Sequence, residues 1–324
     1  MPQTQLYPLR FSPILRRYLW GGRRLGTALG KPIGDESDYA ESWEVVDHGD
    51  DQSRVAFGPL KGIELRQVVA EYGPALFGRH APQSRFPLLF KFLDCNRHLS
   101  VQVHPNDAQA AQLDPPDLGK TEAWIILDAE PGAELFAGLK RGFDRPALAR
   151  EIDRSTTQLC LHRVEPKPGD CLFIPAGVVH ALGAGLLVAE IQQASDTTYR
   201  LFDWNRVGAD GKSRPLHIEP ALEVIDFERG PVDPQPVEST GEPGVERLVA
   251  CDKFVADRIA FDSPRILGGD DRFHILAVIG GAIRVEGEPS GETLGVGQTV
   301  LLPASTAAEV APELKAVVLD MYLP

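Results

Sequence analysis

The chain reads as mainly β: two β-barrels with a few short helices, the second barrel a degenerate version of the first. Three observations carry that expectation. Residues 169–180 run GDCLFIPAGVVH, an apolar stretch from Cys171 to Ile174 held between two turns. It is too short for a helix, and Pro175 ends it because proline has no N–H for a sheet ladder, so it reads as a buried strand. Gly177 permits the tight bend that delivers His180 to the next strand. Residues 297–308, GQTVLLPASTAA, repeat the glycine, the apolar run and the proline at the same spacing, with Ser305 and Ala308 in place of Gly177 and His180. Finally, 31 glycines and 27 prolines in 324 residues fit many turns between short strands.

In chain order, residues 6–20 alternate loosely and run into Trp20-Gly-Gly, a strand or extended arm ending in a turn. A polar loop over 31–39 precedes a strand at 40–46, in which Trp43 is a core residue. Glu44 is either a site carboxylate or a solvated edge group. Residues 61–78 place Ile63, Leu65, Val68, Val69 and Tyr72 at helical spacing, with Gly73-Pro74 as the stop. Two strands follow over 88–103, separated by the turn Asp94-Cys-Asn-Arg97. In the second of them Leu99, Val101 and Val103 point one way, and Ser100, Gln102 and His104 the other. A short helix over 107–113 and a Pro-Pro loop lead to the strand GKTEAWIIL and a turn at Pro131-Gly132. Residues 144–154 form a helix with Asp144 as N-cap and Pro146 in the first turn. A strand over 159–164 enters the 169–180 unit, and 186–193 is the strand after it. Residues 229–246 are rich in proline, glycine and acids without periodicity, so we expect a first domain over 1–235 and a second over 236–324.

The net charge of −13 argues against a nucleic-acid groove or an anionic membrane surface, which need basic patches. A small anionic substrate is compatible with it, because a few arginines and lysines make a local positive site. Cys95, Cys160, Cys171 and Cys251 form no CxxC pair, as expected of a reduced, cytoplasmic protein. No apolar run approaches the roughly 20 residues that span a bilayer, and the N-terminus has no signal-peptide core.

The chemistry concentrates on three strands. Ser100, Gln102 and His104 share one face; Lys120, Glu122 and Trp124 repeat the same period on the next strand; His180 comes from the 169–180 unit. A barrel lined by alternate side chains is the natural way to converge them. His104, Glu122 and His180, with Gln102 as an optional fourth, suit a divalent transition metal, Zn²⁺ and non-haem Fe²⁺ equally. His48, His80, His98, His162, His217 and His274 read as surface or core histidines. In EIQQASDTTYRLFDW, residues 190–204, Arg200 can hold a phosphate or stabilise an enediolate, since its fork of donors matches an oxyanion. The alternative is a surface arginine paired with Asp196 or Asp203.

The spacing G-x5-P-x-G-x2-H at 169–180 matches the second signature of the cupin barrels. More specifically, LSVQVHPND, GKTEAW, PGDCLFIPAGVVHAL and EIQQASDTTYRLFDW, with WGG and ESWEV before them, resemble the type I mannose-6-phosphate isomerases in their short bacterial form, over roughly residues 8–220. The resemblance implies two cupin-type jelly-roll barrels and one Zn²⁺ per chain on His104, Glu122 and His180, with Gln102 at a further ligand position. It implies Arg200 as the catalytic arginine, Lys120 and Ser100 as substrate or phosphate contacts, and Glu190 as a carboxylate of the same pocket. The long helical insertion of larger members has no room here. The implied reaction interconverts mannose 6-phosphate and fructose 6-phosphate through a cis-enediol, with a small phosphosugar as partner and neither nucleic acid nor membrane. Lys120, Glu190 and a metal-held water are all candidate bases. Competing readings are an Fe²⁺ cupin oxygenase on the same ligands, a non-catalytic phosphosugar-binding cupin, and a cupin-type glucose-6-phosphate isomerase. The cluster Arg200, Lys120 and Ser100 suits a phosphate and is unnecessary for oxygenase chemistry. Monomer and dimer are both open.

Overall fold

The computed structural model describes residues 5–208 and 211–324. Its first half holds the strands β1 (Ile14–Gly22), β2 (Tyr39–Val45), β3 (Leu88–Cys95), β4 (Val101–Val103), β5 (Glu122–Ala129), β6 (Leu135–Leu139), β7 (Leu161–Val164), β8 (Cys171–Ile174), β9 (His180–Leu182), β10 (Leu186–Gln193) and β11 (Tyr199–Phe202). A six-stranded sheet in the order β8-β5-β10-β3-β2-β1 faces a five-stranded sheet in the order β7-β6-β9-β4-β11. The second half adds β12 (Glu238–Ser239), β13 (Val245–Ala250), β14 (Val255–Phe261), β15 (Arg265–Gly268), β16 (His274–Gly280), β17 (Ala282–Val285), β18 (Leu294–Gly295), β19 (Thr299–Leu302), β20 (Ala307–Pro312) and β21 (Ala316–Tyr322). These pair as β19-β16-β21-β14-β13-β12 and β18-β17-β20-β15. These four sheets therefore repeat one topology strand for strand, except that β11 has no counterpart; the first half also carries short strands at Phe11–Ser12, Asp47–His48, Asp51–Gln52 and Arg54–Val55 in two small sheets of their own. The short match between residues 169–180 and 297–308 is the visible edge of that repeat: both glycines adopt positive φ, +94° at Gly169 and +84° at Gly297. Gly177, at φ +86°, sits so close to Val224 that a Cβ would lie 3.1 Å from its carbonyl oxygen.

Alternation along each strand separates three apolar layers. Trp124 and Ile126 of β5, with Leu172, Ile174 and Val188, fill the first barrel. Leu276 and Val278 of β16, with Val300, Leu302 and Val318, fill the second. Between the barrels, the outward faces of the two six-stranded sheets meet in one cluster that includes Phe90, Phe92, Ile125 and Ala189 from the first and Ala256, Ile275, Leu319 and Met321 from the second. The chain's start is woven into this junction: Leu9 and Leu301 exchange backbone hydrogen bonds of 2.8 Å.

The helices cover edges. α1 (Leu65–Phe77) does not stop at Gly73-Pro74 as its pattern predicts. It kinks at Tyr72 (φ −124°, ψ 16°), and Pro74 opens the next turn, where a missing N–H costs nothing. The kink sends Leu76 and Phe77 into the layer between the barrels. α2 (Arg145–Asp153) begins as expected, the Asp144 carboxylate accepting from Ala147 N at 2.8 Å. With α3 (Ile218–Val224) it contributes to the apolar cluster on the outer face of the five-stranded sheet. No helix among the described residues is long and apolar enough to cross a membrane.

Candidate metal centre and anion pocket

β4, β5 and β9 deliver the expected residues to one point. His180 and Gln102 are directly paired across β9 and β4, and Arg200 flanks Gln102 from β11. On the opposite sheet Glu122 lies between Ile174 and Gln192. One ligand atom each from His104, Glu122 and His180 falls within 4.8 Å of the others, and all three side chains are buried.

The hydrogen bonds of this triad are informative because so few exist. His104 Nδ1 donates to the Thr197 carbonyl at 2.9 Å, and His180 Nδ1 to the Val178 carbonyl at 2.8 Å. Both rings are thereby set as tautomers whose Nε2 lone pairs face inward. Those nitrogens look at Glu122, His104 Nε2 from 3.6 Å and His180 Nε2 from 3.3 Å. Burial, with Lys120 nearby, holds the His104 imidazole well below its ordinary value, and burial lowers His180 to about 4. Both are neutral, so neither has a proton for the carboxylate. His104 Nε2 and both Glu122 oxygens are buried without a hydrogen-bond partner. Burial and the Glu190 charge push the Glu122 carboxyl up, against the pull of Lys120 and Lys91. Converging buried acceptors without a donor are costly unless a cation sits among them. Two imidazole nitrogens and a carboxylate fit a divalent transition-metal ion, and the triad can hold one. Gln102 borders it, its amide nitrogen 3.3 Å from His180 Nε2 and its oxygen accepting from Ser100 Oγ at 3.4 Å.

The triad adjoins a cavity of about 300 Å³ whose lining includes Ser100, Gln102, Lys120, Glu190 and Arg200. Every other site residue expected from the sequence thus lines this cavity. Lys120 Nζ lies 3.4 Å from Glu122. Arg200 donates to Ser100 Oγ (3.3 Å) and to the Pro215 carbonyl (2.9 Å). Its pairing with Asp196 or Asp203 does not occur. Asp203 instead takes Arg206 and Arg214, the latter through two bonds of 2.8 and 2.6 Å. Burial and the like charge of Arg214 lower the Arg200 guanidinium below its ordinary value, opposed by Asp203. Arg200, unpaired with a carboxylate and beside Arg214, gives this otherwise acidic protein a local positive group that can face an anion.

Sequence reasoning missed Lys91, Glu41 and Arg214, which also line the cavity. Lys91 is buried and lies 3.0 Å from Glu190 and 3.5 Å from Glu41. Burial would lower its ammonium, but Glu190 and Glu41 outweigh it and keep it protonated. Indole donors brace both acids: Trp43 Nε1 to Glu41 at 2.5 Å and Trp124 Nε1 to Glu190 at 3.0 Å. A single lysine inside the apolar run LLFKFLDC was the signal, because a buried charge must have a partner. Glu44 is neither a site carboxylate nor a solvated edge. It is buried between Lys31 Nζ (2.5 Å) and Ser42 Oγ (2.6 Å), and Lys31 also donates to the Gly297 carbonyl, which ties the first barrel to the second. The other six histidines are outside the triad. His274 is buried in the second barrel, and His217 accepts from Arg200 N at 3.2 Å.

Residues 9–122 match the family description "Phosphomannose isomerase type I, catalytic domain". The chain is similar to mannose-6-phosphate isomerase ManA of Bacillus subtilis, 37% identical over 86% of this chain and 87% of the relative. It is also 38% identical to the mannose-6-phosphate isomerase of Streptococcus mutans, over 67% of each chain. Among solved structures, mannose 6-phosphate isomerase from Bacillus subtilis superposes with a TM-score of 0.88 at 29% identity, covering 98% of this chain and 100% of that one. With the sequence identity extending over most of both chains and the two-barrel fold in common, the chain belongs to the type I phosphomannose isomerase family.

Proposed function

We propose that this chain interconverts mannose 6-phosphate and fructose 6-phosphate, with Zn²⁺ held by His104, Glu122 and His180 and with Gln102 at the edge of the same site. The observation that carries this reading is the junction of a buried His–Glu–His triad, in which His104 Nε2 and both Glu122 oxygens have no hydrogen-bond partner, with a cavity walled by Arg200, Arg214, Lys120 and Lys91. When bound, the ion supplies a Lewis acid for the sugar carbonyl and its neighbouring hydroxyl. The chain does the rest. Arg200 and Arg214, with Ser100 beside them, clamp the phosphate, so that binding energy from the remote end positions the reacting carbons. Glu190 carries the proton between C1 and C2. Burial would raise its carboxyl, but Lys91 and Lys120 hold it down and keep it ionised before substrate arrives. Lys91, kept charged, and Lys120 face the developing enediolate. The surrounding apolar barrel limits water at the reacting carbons. The second barrel supplies no reacting group, so the chemistry belongs to residues 1–235 and residues 236–324 act as scaffold.

The test is a coupled assay for fructose 6-phosphate formed from mannose 6-phosphate, before and after chelation and after Zn²⁺ is restored. Turnover that is lost to chelator and recovered with Zn²⁺ is expected. Full turnover by metal-stripped protein would overturn the assignment of the triad, and binding of the sugar phosphate without turnover would leave a non-catalytic cupin.

A further inference from the structure

The two histidines of the triad are oriented in different ways. His180 is set by the Val178 carbonyl, two residues before it in the same turn. His104 is set by the Thr197 carbonyl, 93 residues further along, in the segment between β10 and β11 that belongs to no strand. A carbonyl outside a ladder stays in place only if something else holds it. The group that holds it is Asp117, from the loop after the short helix Asp107–Ala110. Its Oδ2 accepts from Ser195 Oγ at 2.8 Å and from Thr197 Oγ1 at 3.0 Å. Ser195 Oγ in turn accepts from Thr197 N at 3.3 Å, which closes the turn around the carbonyl that His104 uses. Asp117 is itself anchored on the other side: Oδ1 accepts from Leu118 N at 2.8 Å and Arg85 Nη1 at 3.3 Å, and Oδ2 faces His48 Nε2 at 3.2 Å. Its carboxylate is largely buried and lines no part of the cavity.

We propose that Asp117 is a positioning residue for the metal centre: through the Ser195–Thr197 turn it aims His104 Nε2 at the ion. This rests on the triad being a metal site. Partners that orient a ligating histidine typically change metal affinity by about 10- to 100-fold when removed. The inference therefore concerns the affinity and geometry of the site rather than the fold.

The experiment titrates stripped protein with Zn²⁺ against a chromophoric chelator, and with Co²⁺, whose visible absorption reports ligand geometry. Wild type, Asp117→Asn and Thr197→Val are compared well below their unfolding temperatures, and unfolding of each metal-free protein is measured in parallel. Asp117→Asn is expected to weaken Zn²⁺ by about 10- to 100-fold and to alter the Co²⁺ spectrum at saturation. Thr197→Val, which cuts only the hydroxyl link, is expected to lie between it and wild type, and decides the matter if Asp117→Asn does not fold. Unchanged affinity and an unchanged spectrum overturn the inference, even with a lower unfolding temperature, since that would be a structural role alone. A wild type that takes up neither ion overturns the triad reading itself, and this inference with it.

Discussion

The two barrels share a strand order and differ at the mouth. In the first, the cross-strand pair His180–Gln102 stands on β9 and β4; the corresponding pair on β20 and β15 is Ala308–Leu267. Glu122 opposite Ile174 corresponds to His274 opposite Leu302. Glu190 beside Lys91 corresponds to Asp320 beside Asp257. The second mouth is therefore not stripped of polar groups; its polar groups satisfy one another. His274 Nδ1 lies 2.8 Å from Asp320 and its Nε2 3.0 Å from Asp270. Asp257 accepts from Tyr322 at 2.7 Å and from Arg247. The first mouth leaves buried acceptors unmatched and a guanidinium without a carboxylate of its own. A binding site, by this comparison, is a deficit of internal partners that the same fold can carry or fill.

That contrast can be broken from either side. The largest effect is expected from His180→Ala, which should abolish stoichiometric Zn²⁺ and lower kcat/KM by at least about 10³-fold; metal content by mass spectrometry beside the coupled assay reads both. Its mirror, Ala308→His, should take up no metal, because Leu267 and Gly269 stand at the places of Gln102 and His104, and His274, at the place of Glu122, is already held by Asp320 and Asp270. A second barrel that binds zinc after this one change would show that the two mouths differ by a single residue.

Next in size is the arginine wall. Arg200→Gln should lower kcat/KM by about 10². Arg214→Gln should raise KM for the phosphosugar about tenfold with a smaller change in kcat, as for loss of one charge-assisted clamp. In the second barrel Arg247→Gln should change neither, because Arg247 lines no part of the cavity that Arg200 and Arg214 border. Steady-state kinetics on all three variants separate these outcomes, and an Arg214 variant with unchanged KM would remove it from the clamp.

The smallest effect concerns stability. Burial pulls the His274 imidazole down, but Asp320 and Asp270 outweigh it and raise it to about 9 from an ordinary 6.5. A group raised on folding stabilises fully below its unfolded value and loses that contribution as pH rises through the folded one. The second barrel should therefore weaken between about pH 6.5 and 9, by up to about 3 kcal/mol. Urea midpoints across that window should fall in the wild type, and the slope should flatten in His274→Gln. A wild-type slope matched by the variant would show that His274 is not charged in the native state.

Much of this was legible from residues alone, for particular reasons. His104, Glu122 and His180 each sit beside turn or strand signals strong enough to fix which way they face, and the strings around them are similar to one family. Lys91 was hidden inside an apolar run: its meaning depends on Glu190 and Glu41, which only sheet register brings together. Glu44 was misread because its partner, Lys31, comes from a loop that a strand pattern does not place. The helix over 65–77 was cut short because a proline after a glycine reads as a stop, and only packing against the second barrel shows why the chain resumes. Single-residue replacements such as Asp320 for Glu190 were invisible, since the short repeat at 297–308 covers one strand and one turn.

The sheet that carries Glu122, Lys91 and Glu190 on its inner face has Phe90, Phe92 and Ile125 on its outer face, against the second barrel. The second half thus keeps the outer face of that sheet out of water. A chain ended near residue 235 would retain His104, Glu122, His180, Arg200 and Arg214 and still expose a greasy, six-stranded slab to water. Such a fragment should accumulate in inclusion bodies rather than appear as a smaller enzyme, and co-expressing residues 236–324 as a separate chain should bring it back into solution.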